Sequence, residues 1–195
     1  MRVVVVVANP DANGFSQSIA STATSALLES GHHVTVLDLY AEQFRTAMSP
    51  DERLAYHSNR PLLDPMAERH AEIVKRAEAL VFVYPTWWST MPAILKGWLE
   101  RVMVPGVGFV FDDHHHVRRG LTHVRRVVGI STYDARWVYV KAVHDNGRRT
   151  LLRALRLNTA TLTRRSWLGL YEMNMRTVEQ RVAFLQRVDR RMRSL

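Results

Sequence analysis

The 195-residue sequence predicts an α/β fold: a five-stranded parallel sheet in the order 2-1-3-4-5, with helices on both faces. Three observations predict it. Short apolar runs alternate with segments of helical periodicity, the pattern of βαβ units. The first run, Val3–Ala8, is unbroken and β-branched, as a central strand covered on both faces requires. The two most unusual loops follow the first and third runs, where a sheet of this order has its switch point and binds ligands.

Each element has its own warrant. Val3–Ala8 is the first strand, and Ser16–Ser30 the helix after it, stopped by Gly31. His33–Leu37 is the second strand, Leu80–Tyr84 the third, Arg126–Ser131 the fourth and Ser166–Tyr171 the fifth. Helical patterns lie at Met66–Ala77, Met91–Val104, Asp145–Leu157 and Arg176–Met192. Two longer connections interrupt the alternation: Tyr40–Pro65, polar and punctuated by three prolines, and Pro105–Thr122, with Asp112-Asp113 and three consecutive histidines. Connections of that length in a compact fold are read as lids or subunit contacts. The whole of 1–195 reads as one domain, a length that can bury a real core.

Composition narrows the function classes. There are no cysteines, which excludes disulfides, thiolate metal sites and cysteine nucleophiles. No stretch approaches the ~20 apolar residues of a membrane span. The opening MRVVVVVANP is too short for a secretory segment and reads as a buried strand, so a cytoplasmic protein without an integral membrane segment is expected. The formal charge of +9 is uneven: residues 1–117 carry nine basic and thirteen acidic side chains, residues 118–195 eighteen basic and five acidic. A basic half attracts anions such as nucleotide phosphates or nucleic acid. No nucleic-acid-reading motif is present, and the arginines are scattered among apolar residues, so no nucleic-acid partner is expected.

Three loops carry the candidate chemistry. Loop one, Ala8–Ser18, leaves the first strand and opens a helix; Gly14 permits a tight path, and Ser16 and Ser18 stand beside the unpaired amides of a helix start. Such a loop can seat a phosphate or simply cap a helix. It matches neither the Walker A pattern nor GxGxxG. Loop three, Pro85-Thr86-Trp87-Trp88-Ser89-Thr90, sets two adjacent indoles between a buried strand and an amphipathic helix. Ser89 or Thr90 could cap that helix, with Pro92 in its first turn. The helix carries Ile94, Leu95, Trp98, Leu99, Val102 and Met103 as one apolar stripe, so Trp98 reads as packing. Trp87 and Trp88 precede the stripe; they either border a planar ligand or fill the core. Loop four, Ser131-Thr132-Tyr133-Asp134, faces the same cleft in a sheet of this order. Beyond it, Tyr139 and His144 are candidate proton donors. Arg148, Arg149, Arg153 and Arg156 form either a solvated face or a nucleotide-phosphate pocket. His114, His115 and His116 cannot all reach one ion, and no carboxylate at zinc-like spacing supports them, so no metal is expected.

The segment Tyr84–Val102 resembles the NAD(P)H:quinone oxidoreductases of the DT-diaphorase type, flavoproteins of flavodoxin-like fold. Their Pro-x-x-Trp loop is matched by Pro85 and Trp88, and their PAILKGW helix by Pro92–Trp98, followed by Glu100-Arg101-Val102. Loop one is similar to the family's phosphate loop at Ala8, Pro10 and Phe15, with Asn9 where His is usual and Gly14 where Ser is usual. The resemblance implies a flavin, FAD or FMN, held at a homodimer interface. It implies that Asn9, Phe15, Ser16 and Ser18 lie near the phosphate or ribityl chain. Pro85, Thr86, Trp87, Trp88 and Ser89 would border the isoalloxazine, and Ser131, Thr132 and Tyr133 its far edge. Tyr139 and His144 resemble the family's Tyr/His proton relay, one residue closer together. Tyr133-Asp134 stands where the family has Gly-Gly, a change expected to narrow the nicotinamide site. The implied activity is two-electron transfer from NADH or NADPH to a quinone-like acceptor. The alternative is a flavin-binding redox regulator or electron carrier without nicotinamide-dependent turnover, against which the basic charge argues.

Overall fold

The parallel sheet has the strand order the sequence predicts. In the computed structural model, which describes all residues from Met1 to Leu195, the strands are β1 (Arg2–Val7), β2 (His33–Asp38), β3 (Ala79–Pro85), β6 (Arg126–Thr132) and β7 (Arg164–Leu170). They run β2-β1-β3-β6-β7, with every neighbouring pair parallel. The numbering skips because β4 (Phe109–Phe111) and β5 (Val117–Arg119) pair only with each other, as an antiparallel hairpin.

The two-residue period of a strand sends alternate side chains to opposite faces. Val4, Val6, Leu80, Phe82 and Tyr84 enter one core with α3 (Pro65–Lys75) and α4 (Ala93–Val102). Val3, Val5, Val7, Val81 and Val83 enter the other with α1 (Phe15–Glu29) and α8 (Val178–Arg193). This double coverage is why β1 and β3 read as unbroken apolar runs. Helix α1 ends at Ser30, and Gly31 follows at φ 77°, a left-handed position that glycine takes without a Cβ clash.

The structure corrects the sequence reading in four places. Tyr40–Pro65 contains a short helix, α2 (Pro50–Ala55), closed by a capping box between Ser49 and Glu52. Pro105–Thr122 folds as the β4–β5 hairpin, with the three histidines in its turn. The segment after β6 forms α5 (Trp137–Ala142), whose crowded aromatic and β-branched residues gave no clear helical stripe. The pattern from Asp145 to Leu157 is helical but irregular: α6 (Asn146–Arg149) passes through a π-helical turn (Thr150–Ala154) into α7 (Leu155–Leu157). No helix is long and apolar enough to cross a membrane.

The most distinctive sequence segment turns out to anchor the chain. Gly97 lies against the backbone of Thr46, so close that any Cβ would collide. The Trp98 indole N–H donates to His70 Nδ1 (3.0 Å), and both side chains are fully buried. His70 Nε2 faces Glu42 (3.1 Å), and its ring stacks on Phe44. Arg101, 2% exposed, donates to the carboxylates of Glu52 and Asp64 and to the Arg45 carbonyl. Three residues of α4 thus fasten the polar connection 40–65 to the sheet. Burial would raise the Asp64 pKa, but the Arg101 guanidinium and the amides of Ala67 and Met66 outweigh it and hold the carboxyl down to about 2.

Candidate functional site

The β1 and β3 strands end side by side, with Val7 opposite Val83, and β3 ends beside β6, with Pro85 opposite Thr132. Loops one, three and four therefore leave the sheet at one edge. Loop three makes a two-residue hairpin turn. Trp87 N–H donates to Thr90 O (2.9 Å) and Thr90 N–H to Trp87 O (3.0 Å). The central residues, Trp88 and Ser89, have φ of 49° and 60°. Positive φ at both is what such a turn demands, and it normally selects Asn-Gly. A tryptophan there is strained. Neither Ser89 nor Thr90 caps α4; Pro92 occupies the cap position with no side-chain bond.

Both indoles are open to solvent: Trp87 is 42% and Trp88 98% exposed. The turn rests on a rigid floor. Thr86 N–H donates to Thr132 O (2.8 Å), and the Thr86 and Ser131 hydroxyls bond each other (2.8 Å). Those hydroxyls are consumed in joining loops three and four. The Trp88, Ser89, Asp134 and Ala135 amides have no protein acceptor. A cavity of about 220 Å³ lies between Thr86, Trp88 and Ser89 on one side and Tyr133, Asp134, Ala135, Tyr139, Val140 and Val143 on the other. A second, of about 490 Å³, lies across the same Trp88 between Trp87, Met91, Pro92 and Lys96.

Tyr133 forms the floor of the smaller cavity. Its ring is 1% exposed, stacks on Tyr171 at 4.6 Å, and its hydroxyl donates to Asp145 Oδ1 (3.0 Å). Most of its bulk is therefore spent in the interior. Burial pushes the Tyr133 hydroxyl well above the usual phenol range, and the Asp145 charge adds to this. Burial also raises the Asp145 carboxyl, against the opposing bond from Tyr133. The Tyr84 hydroxyl is buried without a hydrogen-bond partner, and its pKa is raised first by burial and then by Asp145. A Cβ on Gly147 would stand 2.9 Å from that hydroxyl and 3.2 Å from the Met91 amide nitrogen, so only glycine lets α6 pass. Asp145 and Tyr84 escaped the sequence reading. Their sole local signal was position, one after His144 and the other at the end of an apolar run.

Tyr139 is 56% exposed and lines the cavity with Trp88. His144 does not; it lies at φ 70° on a neighbouring concavity, and the two share only the Val140 wall. Loop one lines neither cavity beside Trp88. The Phe15 ring tilts onto Phe184 of α8 at 6.3 Å, Ser16 is buried, and Ser18 is exposed. Asn9 Nδ2 is held by the Asp11 carbonyl (3.2 Å). The α1 N-terminus has no side-chain cap, and the Phe15 and Ser16 amides have no acceptor, whereas α2, α3 and α8 are each side-chain capped. The three histidines form no metal-type cluster: Asp112, the nearby acid, pairs with Arg118 and reaches His116 at 3.5 Å.

These features suit a flat ring and an anionic group. Aromatic walls, unspent amides beside them and a phosphate-type helix start fit a flavin. Comparison with known proteins finds oxidoreductases among those the chain resembles. The chain is 27% identical over 163 residues to NAD(P)H dehydrogenase [quinone] 1 of Cavia porcellus, covering 74% of this chain and 58% of that protein. It is 32% identical over 136 residues to the ribosyldihydronicotinamide dehydrogenase-like protein traD of Penicillium crustosum, covering 62% and 50% respectively. The matched segments thus span little more than half of those relatives. An NAD(P)H:quinone oxidoreductase from Methanothermobacter marburgensis superposes over 99% of this chain and 98% of its own, with TM-score 0.82 and 26% identity. The family model described as Flavodoxin-like fold (Flavodoxin_2) matches residues 1–174, and the chain belongs to that family.

Proposed function

We propose that this protein is a flavin-dependent NAD(P)H oxidoreductase of the NAD(P)H dehydrogenase (quinone) type, reducing quinones or similar acceptors. The observation that carries the proposal is the strained, solvent-open Trp87–Thr90 turn, whose Trp88 and Ser89, with unspent amides, line a cavity that Tyr139 also lines. A turn that could be Asn-Gly holds an exposed indole in a left-handed conformation, which stability alone does not select.

The chain's residues would share the work as follows. The Phe15 and Ser16 amides and the Ser18 hydroxyl would hold the flavin phosphate of FMN or FAD, with Asn9 positioned by Asp11 beside them. Pro85, Thr86, Trp87, Trp88 and Ser89 would border the ring, above the Ser131–Thr132 floor and Tyr133. When bound, the flavin supplies two-electron transfer from NADH or NADPH to the acceptor. The amides of Trp88, Ser89, Asp134 and Ala135 would stabilise negative charge on the ring. The Tyr139 hydroxyl would donate or hold a proton at the cavity. His144, on the next concavity, would act through solvent. Exposed Trp88, Trp137, Val138 and Tyr139 form an apolar rim that a second copy of the chain would cover, which supports a homodimer. The reading suits a cytoplasmic protein, where both nicotinamide donors are available.

The test is the visible spectrum of the purified protein with mass analysis of released cofactor, followed by NAD(P)H-dependent reduction of a simple benzoquinone. Flavin absorbance with steady turnover is expected. A protein that takes up neither FMN nor FAD overturns the proposal. Flavin without turnover leaves a redox regulator or carrier instead.

A further inference from the structure

The chain carries two basic surfaces. One is the basic concavity of about 410 Å³ beside the Tyr139 cavity, lined by Lys141, Arg148, Arg149, Arg153 and Arg165. The other lies at the opposite edge of the sheet, where β6 and β7 begin. Arg126 and Arg164 are register partners on those neighbouring strands, Arg125 precedes the first, and Arg191 stands in the last turn of α8. Arg126 Nε donates to the Leu195 oxygen (3.1 Å), which ties the end of α8 to the strand starts. Burial first, and then the charges of Arg164, Arg191 and Arg125, lower the Arg126 pKa below the ordinary guanidinium value. The four are therefore close enough to repel one another. Glu78 lies against Arg125, its carbonyl accepting the Arg125 amide (2.8 Å), but its carboxylate already takes the Arg2 amide (2.8 Å).

An apolar tip stands among these cations. Residues 160–163 form a tight turn, closed by the Thr163 N–H donating to Ala160 O (3.1 Å). The Thr163 hydroxyl and the Ala160 amide both donate to Val124 O (2.9 and 3.2 Å), and the Arg164 amide to Arg125 O (3.0 Å). The turn is thus stapled to the start of β6. Arg119 donates to the Thr161 hydroxyl (2.7 Å), which sets a fifth guanidinium beside the tip. Leu162, a central residue of the turn, is 88% exposed, and Leu157, at the end of α7, is 67% exposed. Such turn positions normally take glycine or small polar residues, and a leucine there adds nothing to the core. No aspartate or glutamate pairs with any of the five arginines.

We propose that this edge of the sheet docks on an anionic lipid surface, with Leu162 and Leu157 entering the headgroup layer and Arg119, Arg125, Arg164 and Arg191 against the lipid phosphates. Exposed leucines ringed by unpaired cations match both layers of a bilayer face. The cations meet its negative surface potential, and the leucines meet the acyl boundary. A nucleic-acid backbone would engage the arginines and leave the leucines in water. The seven residues of β6, at about 3.3 Å each, set this edge roughly 20 Å from the loops of the candidate site. A docked molecule therefore keeps those loops toward the aqueous phase. The proposal stands independently of the oxidoreductase reading.

The test is co-sedimentation of the protein, as purified, with vesicles of phosphatidylcholine alone and with vesicles containing about one-third phosphatidylserine. Binding to the anionic vesicles only, falling with added salt, is expected. Each arginine at such a surface contributes about fivefold in partitioning, so Arg125→Gln/Arg164→Gln should weaken binding about tenfold or more. Lys141→Gln/Arg149→Gln removes the same charge from the other basic surface and should change binding less than about threefold. Leu162→Ser should weaken binding about threefold to tenfold. Every altered side chain is exposed, so the variants should melt with the parent. Absence of binding to the anionic vesicles overturns the proposal. So do equal losses from the two charge pairs, which would report net charge alone, and a Leu162→Ser variant that binds like the parent. Tighter binding to duplex DNA than to the anionic vesicles, at equal phosphate concentration, also overturns it and assigns the edge to nucleic acid.

Discussion

Trp88 offers the sharpest perturbation. It lies at φ 49° in the loop-three turn with 98% of its surface exposed, so its indole buries almost nothing. Left-handed backbone costs a bulky L-residue roughly 1–2 kcal/mol, and Asn pays less of it. Trp88→Asn should therefore stabilise the flavin-free protein by about 0.5–1.5 kcal/mol, because no packing is lost to offset the relief. For a chain of this size that raises Tm by about 1–5 °C. The same change removes one aromatic wall. A stacked aromatic pair contributes about 0.5–1.5 kcal/mol beyond its buried area, so flavin should bind about threefold to tenfold more weakly. The assays are urea or thermal melts of the flavin-free protein and a fluorescence titration with FMN and FAD. Flavin must be absent from the melts, since a ligand that binds only the folded state raises apparent stability. Destabilisation by Trp88→Asn would mean that the indole packs. Stabilisation with unchanged flavin affinity would mean that the strain serves no ligand. Either result would refute the reasoning.

Three further outcomes are expected. Arg101→Met leaves Glu52 and Asp64 with only the half-exposed Arg45 as a shared cation, and breaking the buried pair costs up to about 3–5 kcal/mol; a urea-melt loss below about 1 kcal/mol would sink the anchor described for α4. Stability should fall in two stages as pH drops. His70, its pKa lowered by burial from the ordinary 6.5, takes up its proton at lower pH when folded than when unfolded, so the unfolded chain binds the extra proton first and stability declines as pH falls below that value. Asp64, depressed from 3.8 to about 2, adds a second loss in that lower window. Melts that are flat from about pH 7 to pH 5 would count against the His70 stage. Tyr139→Phe should lower turnover about tenfold to hundredfold, with a smaller effect from His144→Gln, because only Tyr139 lines the Trp88 cavity. Equal losses in steady-state kcat would dismiss that ranking.

What the sequence could determine by itself is what short-range physics controls. The runs Val3–Ala8 and Leu80–Tyr84 are unbroken because each strand is covered on both faces, so their apolar signal survives without any knowledge of neighbours. The alternation of those runs with helical periods marked a parallel sheet, five strands suggested the order it adopts, and the breaks between the runs marked the three loops. Tertiary structure alone decided where the polar side chains went. Nothing near Trp98 or Arg101 announces His70, Glu52 or Asp64, which lie 28 to 49 residues away in the chain. Tyr133 reads as an exposed turn residue until Tyr171 and Asp145 arrive to bury it. The basic concavity likewise needs Arg165 of β7 brought against Lys141 of α5 and the π-helical turn. Periodicity records which face a residue takes; hydrogen bonds and charge clusters depend on which distant segments share that face, and folding alone brings those together.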